Sequence, residues 1–328
     1  MTSLYRQILK KAWYITKKYF YLWPLGFFVS FLGNSGEYQI LTNQIKKIQN
    51  QPETVSNLKA ALSSSMLNFD ISLGEGFLFG LLIVVILAVL ALLVWLIISS
   101  VGGLIQGSAN ASQEKRDNFS TLLSVGSKKF GPILGLYIIA KVIIYGVLAL
   151  ILTPLILVTF VKGNYVLNVL IVILTFLIFI PLTIIISFVT RYASAYVILR
   201  GQKMWQSFKN GWRLFTANWL VSLEMALILL IINSLIALVI LIIAFLLFSP
   251  FFFIGIISAF QNPNSFWSII TIPLFISVII TIIAGSGLAT FQFSSWTLLF
   301  LRLSDGKKSY SKLVRLIAAI PKKIKKKS

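Results

Sequence analysis

Long apolar runs alternate along the chain with short segments in which aromatic and basic residues recur at helical spacing, a pattern that predicts an all-α protein. The most informative segment is 202–220, QKMWQSFKNGWRLFTANWL. Trp205, Phe208, Trp212 and Phe215 fall there at three- and four-residue steps and share a helix face, with Lys203, Lys209 and Arg213 towards its flanks. Such an amphipathic helix suits the headgroup layer of a membrane. Residues 3–18 have the same character: Leu4, Tyr5, Ile8, Leu9, Ala12 and Trp13 line one face, and Arg6, Lys10, Lys11, Lys17 and Lys18 lie largely elsewhere. Residues 19–33 follow as an apolar run of 15 residues containing Trp23 and Pro24, shorter than the ~20 residues that span a bilayer unaided. A short span, a re-entrant segment and a signal sequence all fit its length. Its aromatic content, Pro24 and the lack of an A-x-A site before Asn34 weigh against the signal sequence.

Residues 34–73 are polar, and a segment of about 40 residues is too small to build its own core. The clear apolar runs come after it: 76–101, 131–160 with Lys141, 166–190 with Pro181, 219–248 with Glu224, and a run from 266 to 303. The last is too long for one perpendicular crossing at about 1.5 Å per residue, and predicts a tilted or kinked helix continuing into the interface near Gln292 and Trp296. The expected organisation is a single integral membrane domain over 1–328. It comprises an interfacial helix (1–18), a short first span (19–33), an outer loop (34–75), five further spans with their loops (76–303) and a basic cytoplasmic tail (304–328).

Composition places these runs in a bilayer. Hydrophobic residues make up 58% of the chain and charged residues 11%, where soluble domains carry about a quarter charged; mean hydropathy is +0.93. A net charge of +21 would point to nucleic acid in a soluble protein. Here the charges sit between and beyond apolar runs, so the expected partners are the lipid bilayer and its anionic headgroups, and no nucleic acid is expected. Protein partners are left open. The candidate lipid contacts are Lys10, Lys11, Lys203, Lys209, Arg213, Lys322, Lys323, Lys325, Lys326 and Lys327. A plainer account of the same excess is an AT-rich genome that inflates lysine, together with the positive-inside rule. If 19–33 crosses, 24 of the 29 basic residues fall in 1–18, 102–130, 191–218 and 302–328, all on one side, and only 4 fall in the opposite loops. That distribution predicts six spans with both termini cytoplasmic.

The segments before the spans resemble one another. Leu123-x-x-Gly126-x-Lys128-x-Phe130 matches Phe208-x-x-Gly211-x-Arg213-x-Phe215 at an offset of 85, and Leu9-x-x-Ala12-Trp13 matches Phe208-x-x-Gly211-Trp212. Each copy introduces two spans, giving a polytopic helix bundle of three hairpins with cytoplasmic amphipathic helices. Convergence of interfacial helices on similar spacings is the alternative. Tyr310, Leu313, Val314 and Ile317 make a fourth stripe ahead of Pro321.

The chemistry is sparse. The chain has neither Cys nor His, which excludes disulfides, thiolate or imidazole metal sites and His-based acid–base catalysis. There is no phosphate loop, no H-E-x-x-H and no nucleophile elbow, so no catalytic residue, cofactor site or metal ligand is nominated. Lys141 and Glu224 lie within apolar runs, where charges are costly and opposite signs can pair. Either they line a polar cavity for an ion or solute, or Lys141 snorkels while Glu224 sits at the interface, or the pair only sets helix register. Asn233 reads as an interhelical hydrogen bond, and Gly102-Gly103 and Gly285-Ser286-Gly287 as close packing or a bend. Glu37, Asp70 and Glu75 read as solvated loop charges. Trp13, Trp23, Trp205, Trp212, Trp219, Trp267 and Trp296 read mostly as an aromatic belt.

The opening, Ala12-Trp13 through Lys17-Lys18, Leu22-Trp23, Gly26-Phe27-Phe28 and Leu32-Gly33-Asn34-Ser35-Gly36-Glu37, resembles uncharacterised multi-pass proteins of bacteria with small genomes. Ser207-Phe208-x-x-Gly211-Trp212-x-Leu214 is similar to the membrane domain attached to some glycerophosphoryl diester phosphodiesterases and its stand-alone relatives. That resemblance implies a six-helix membrane domain, and it carries no catalytic residue because the phosphodiesterase barrel is absent from this chain. The functional expectation is a non-enzymatic membrane scaffold or envelope-associated factor. The alternative is a small-solute or ion transporter with a polar site near Lys141 and Glu224; a lipid-modifying enzyme would need Glu37, Asp70 and Glu75 to converge.

Overall fold

A computed structural model describes residues 4–32, 73–160, 165–260 and 262–305, and among them every regular element is helical. In chain order these are α1 (Leu4–Lys18), a 3-10 turn (Phe20–Leu22), α2 (Trp23–Ser30), α3 (Leu73–Ser112), α4 (Phe119–Lys128), α5 (Phe130–Phe160), α6 (Tyr165–Leu199), α7 (Met204–Ala217), α8 (Trp219–Ala259) and α9 (Pro263–Ser304). The all-α bundle expected from the sequence is therefore present. The polar segment 34–72, Lys322 through Lys327 and the stripe from Tyr310 to Ile317 lie outside the described residues.

Among the described residues five helices are long and apolar enough to cross a membrane, over Phe77–Ser112, Phe130–Leu150, Ile173–Leu199, Trp219–Ala259 and Ser265–Ser304. Of the six spans expected, the first is the one missing from this set among the described residues. The run 19–33 forms a shorter apolar helix, Phe20–Ser30, because Pro24 opens a new helix at Trp23 and the chain leaves it at Phe31. Eleven residues at about 1.5 Å each reach only half of a ~30 Å hydrocarbon core. Elsewhere the helices outrun their apolar stretches. α3 continues through Gly102-Gly103 to Ser112, α6 through Arg191 to Leu199, and α8 past Pro250 to Ala259. The boundary of an apolar run marks a change of side chain, whereas a helix stops only where its backbone hydrogen bonds stop. α6 ends where Gly201 takes a positive φ of 63°.

The chain falls into two compact units: Met1–Phe31, Ile97–Leu136 and Phe188–Ser328 in the first, Leu32–Leu96 and Tyr137–Ser187 in the second. In the second unit Ala140, Ile144 and Leu148 of α5, at four-residue steps, pack on Phe179 and Ile186 of α6 beside Leu182. The same unit holds the part of α3 from Phe77 to Trp95, whose Phe, Leu, Ile and Val side chains are exposed almost continuously, a surface suited to hydrocarbon and not to water. In the first unit α8 and α9 form a closely packed hairpin, and α9 also carries α1 and α2.

Candidate functional site

The first unit is organised by short helices seated on long ones, and each seat is a residue with little or no side chain. On α4, Leu122 and Gly126 are buried. A Cβ added at Gly126 would stand 1.8 Å from the Ser99 carbonyl oxygen of α3, so the two backbones touch. Gly103 of α3 is in the same position from the other side, with the Leu122 carbonyl 2.8 Å from where its Cβ would be. On α7, Ser207, Gly211 and Phe215 are buried, and a Cβ at Gly211 would lie 2.9 Å from both the Val189 carbonyl and the Ala193 nitrogen of α6. On α1, Ile8, Ala12 and Ile15 are buried, Ala12 completely, and the helix packs on α9. Ala12, Gly126 and Gly211 are the residues the sequence repeat aligns. α4 and α7 each sit on the long helix that precedes them, and α1 sits on the last.

α2 is held against α9 in the same way. A Cβ at Gly26 would come within 2.4 Å of the Ser286 carbonyl and of Thr290 Oγ1, while a Cβ at Gly287 would meet the Trp23 ring at 3.2 Å. Trp23 Nε1 donates to the Thr16 carbonyl at 2.9 Å and fixes the bend between α1 and α2. Thr290 Oγ1 donates its one proton to the Ser286 carbonyl at 2.9 Å, and the Leu22 carbonyl lies 3.3 Å from the same oxygen. The packing role read for the glycine motifs therefore holds at Gly102, Gly103 and Gly287, whereas Gly285 meets nothing within 4 Å.

Polar groups add links between helices. The Tyr5 hydroxyl of α1 donates to Glu224 Oε2 near the start of α8. Gln292 Nε2 donates to Asn233 Oδ1 at 3.0 Å, the interhelical bond expected of Asn233. Ser108 and Ser294 join α3 to α9 at 3.0 Å. Tyr192 and Ser222 join α6 to α8 at 2.7 Å; Ser222 spends its proton on the Asn218 carbonyl, which makes Tyr192 the donor. Among the described residues six further serine hydroxyls are buried without a hydrogen-bond partner, Ser99, Ser100 and Ser295 among them, so what these residues contribute is small size. Arg200 and Asp305 form an ion pair at 3.2 Å between the ends of α6 and α9, exposed enough to contribute at most about 1 kcal/mol. At the end of α1, Lys18 donates to the Tyr14 hydroxyl, which raises the ammonium pKa above its ordinary value.

The structure distributes the candidate residues unevenly. Lys141 is partly buried on α5 and belongs to the second unit; Glu224 belongs to the first. Lys10 and Lys11 on α1, Lys203 at the cap of α7, and Lys209 and Arg213 on α7 are all exposed. Trp13, Trp205, Trp212, Trp219 and Trp267 are at least half exposed, as belt residues would be, but Trp296 is not. It is buried between Phe188 and Tyr192, with the Arg191 guanidinium 5.1 Å from its ring centroid, because α9 carries it into the packed end of α6. Arg191, counted in the segment that follows the apolar run 166–190, stands inside α6. The unbroken Tyr192–Leu199 stretch behind it, polar only at Ser194, was the available signal that the helix continues.

Together the five long apolar helices and the seated short ones define a multi-pass, all-α membrane protein. No family model, curated protein or solved structure matches the chain.

Proposed function

We propose that this chain is a non-enzymatic integral protein of a bacterial inner membrane, serving as a membrane scaffold or envelope-associated factor, with α1, α4 and α7 on the cytoplasmic side. The observation that carries this reading is how the first unit uses its polar groups. Tyr5–Glu224, Gln292–Asn233, Ser108–Ser294 and Tyr192–Ser222 each tie two helices together, and the glycine seats bring backbone onto backbone. Bonds of this kind hold a fixed body. The exposed basic side chains on α1 and α7 support the cytoplasmic assignment. A likeness to the membrane domain attached to glycerophosphoryl diester phosphodiesterases fits the same role.

The test is reconstitution of wild type, Glu224→Gln and Lys141→Met in liposomes, scored for thermal stability and for ion and solute flux. Stability loss with no flux in wild type is the expected result. Wild-type flux abolished by either substitution with folding intact would overturn the proposal and assign a transporter with a polar site near Lys141 and Glu224. Orientation is separately accessible because the chain has no cysteine. Lys115→Cys should react with an impermeant maleimide only after the cells are opened, and Asn262→Cys before.

A further inference from the structure

Two of the three seated helices carry the same exposed pair beside the seat. In α1 the order is Lys10-Lys11-Ala12-Trp13, in α7 it is Lys209-Asn210-Gly211-Trp212. At about 100° per residue, a Trp one position beyond the seat is turned roughly a right angle away from the docked face. A Lys three positions before that Trp lies about 60° farther round on the same flank. Both edges are open to the surroundings: Trp13, its ring edge-on to Phe291, is 58% exposed, Trp212, beside Phe215, is 50% exposed, and both lysines are exposed. Neither helix contains an acidic residue that would neutralise them. α4 is seated identically but has Ser124 and Ser127 at the corresponding positions, so seating by itself does not require the pair.

An indole held sideways from a membrane helix, with an ammonium just beyond it, matches the layering of a phospholipid leaflet, where the glycerol region lies under the phosphate. We infer that the Trp13/Lys10 and Trp212/Lys209 edges of α1 and α7 bind anionic phospholipid headgroups, with α4 seated but not contacting them in this way. The inference rests on the membrane reading above and names the partner of its seated helices.

The test uses the full chain in phosphatidylcholine vesicles with and without phosphatidylglycerol, reading the thermal midpoint. Phosphatidylglycerol should raise the midpoint of wild type, high salt should remove the rise, and inorganic phosphate should not reproduce it. The Lys10→Gln/Lys209→Gln double variant should lose at least half of the rise, and a Lys115→Gln/Arg116→Gln variant, altered in the loop after α3, should keep it. Moving the pair onto α4, as Ser124→Lys/Ser127→Trp, should enlarge it. An equal rise in both glutamine variants would overturn the inference, as would reproduction of the rise by free phosphate. Because nothing here depends on flux, a failed lipid effect leaves the scaffold reading standing, and wild-type flux with the lipid effect intact would remove the scaffold reading alone.

Discussion

The two units solve one problem, holding apolar helices together, by opposite means. In the second, α5 and α6 meet through large side chains, Ile144 and Leu148 against Phe179 and Ile186. In the first, α4 meets α3 and α7 meets α6 where side chains are missing, at Gly126, Gly103 and Gly211. Inside a bilayer the difference matters, because lipid tails solvate a leucine as well as another leucine does and burying it there gains little. What remains is van der Waals fit, which large flexible side chains can recover in several ways. Backbone-to-backbone contact has a single register, and a seat shifted by one residue would place a Cβ where there is no room. The first unit therefore specifies geometry, while the second tolerates variation.

The largest effect expected from this contrast is at Gly126. Its Cβ would need to displace the Ser99 carbonyl, a backbone group of α3 that cannot rotate aside, so Gly126→Ala should destabilise by about 3 kcal/mol. Gly211→Ala, whose new atom would stand 2.9 Å from two backbone atoms, should lose about 1–2 kcal/mol. In the second unit Ile144→Val removes one methylene and should cost about 0.5–1.5 kcal/mol. Equilibrium unfolding of the three variants in mixed micelles ranks them. If Ile144→Val proves as damaging as Gly126→Ala, the contrast between the units is wrong.

These seats were partly legible before any coordinates. The repeat aligns Ala12, Gly126 and Gly211, and each is buried on its short helix, as a helix that must lie against another leaves a small residue at the contact. The hydrophobic pattern also located the five long helices, since apolar content on all sides leaves no alternative to a bilayer. It failed where a helix passes from lipid into protein. Arg191 and Trp296 resemble the polar, aromatic edge of a membrane span, but Trp296 is buried and Arg191 lies over its ring. Burial inside a bundle reads in sequence like exposure at an interface, because both favour an amphipathic aromatic next to a cation. The Tyr5–Glu224 contact was out of reach for a different reason. The partners are 219 residues apart, and nothing local in Leu4-Tyr5-Arg6 indicates which carboxylate the hydroxyl will meet.

That contact gives the next prediction. Tyr5→Phe withdraws a neutral donor from a carboxylate in an apolar setting and should destabilise by about 1.5–2 kcal/mol, chiefly by loosening α1. Glu224→Gln keeps an acceptor for the hydroxyl and should lose less. The double variant should fall short of the sum, since both changes act on one bond. Full additivity, measured by thermal unfolding in detergent, would mean that the Tyr5–Glu224 bond does not hold α1 in place.

The smallest expected difference is the sharpest test of the seat idea, because it lies within one three-residue motif. Gly285 and Gly287 flank Ser286 on α9 and are indistinguishable to any propensity scale. An added methyl at Gly285 meets nothing within 4 Å, so Gly285→Ala should gain the helix preference of alanine, up to about 1 kcal/mol. The same methyl at Gly287 stands 3.2 Å from the Trp23 ring, a side chain that must give way by a few tenths of an ångström and is tethered through Nε1 to Thr16. Gly287→Ala should therefore keep none of that gain and end near zero or slightly unstable. Identical midpoints for the two variants would show that α2 does not rest on α9 through Trp23, and that glycine enters this motif for the helix alone.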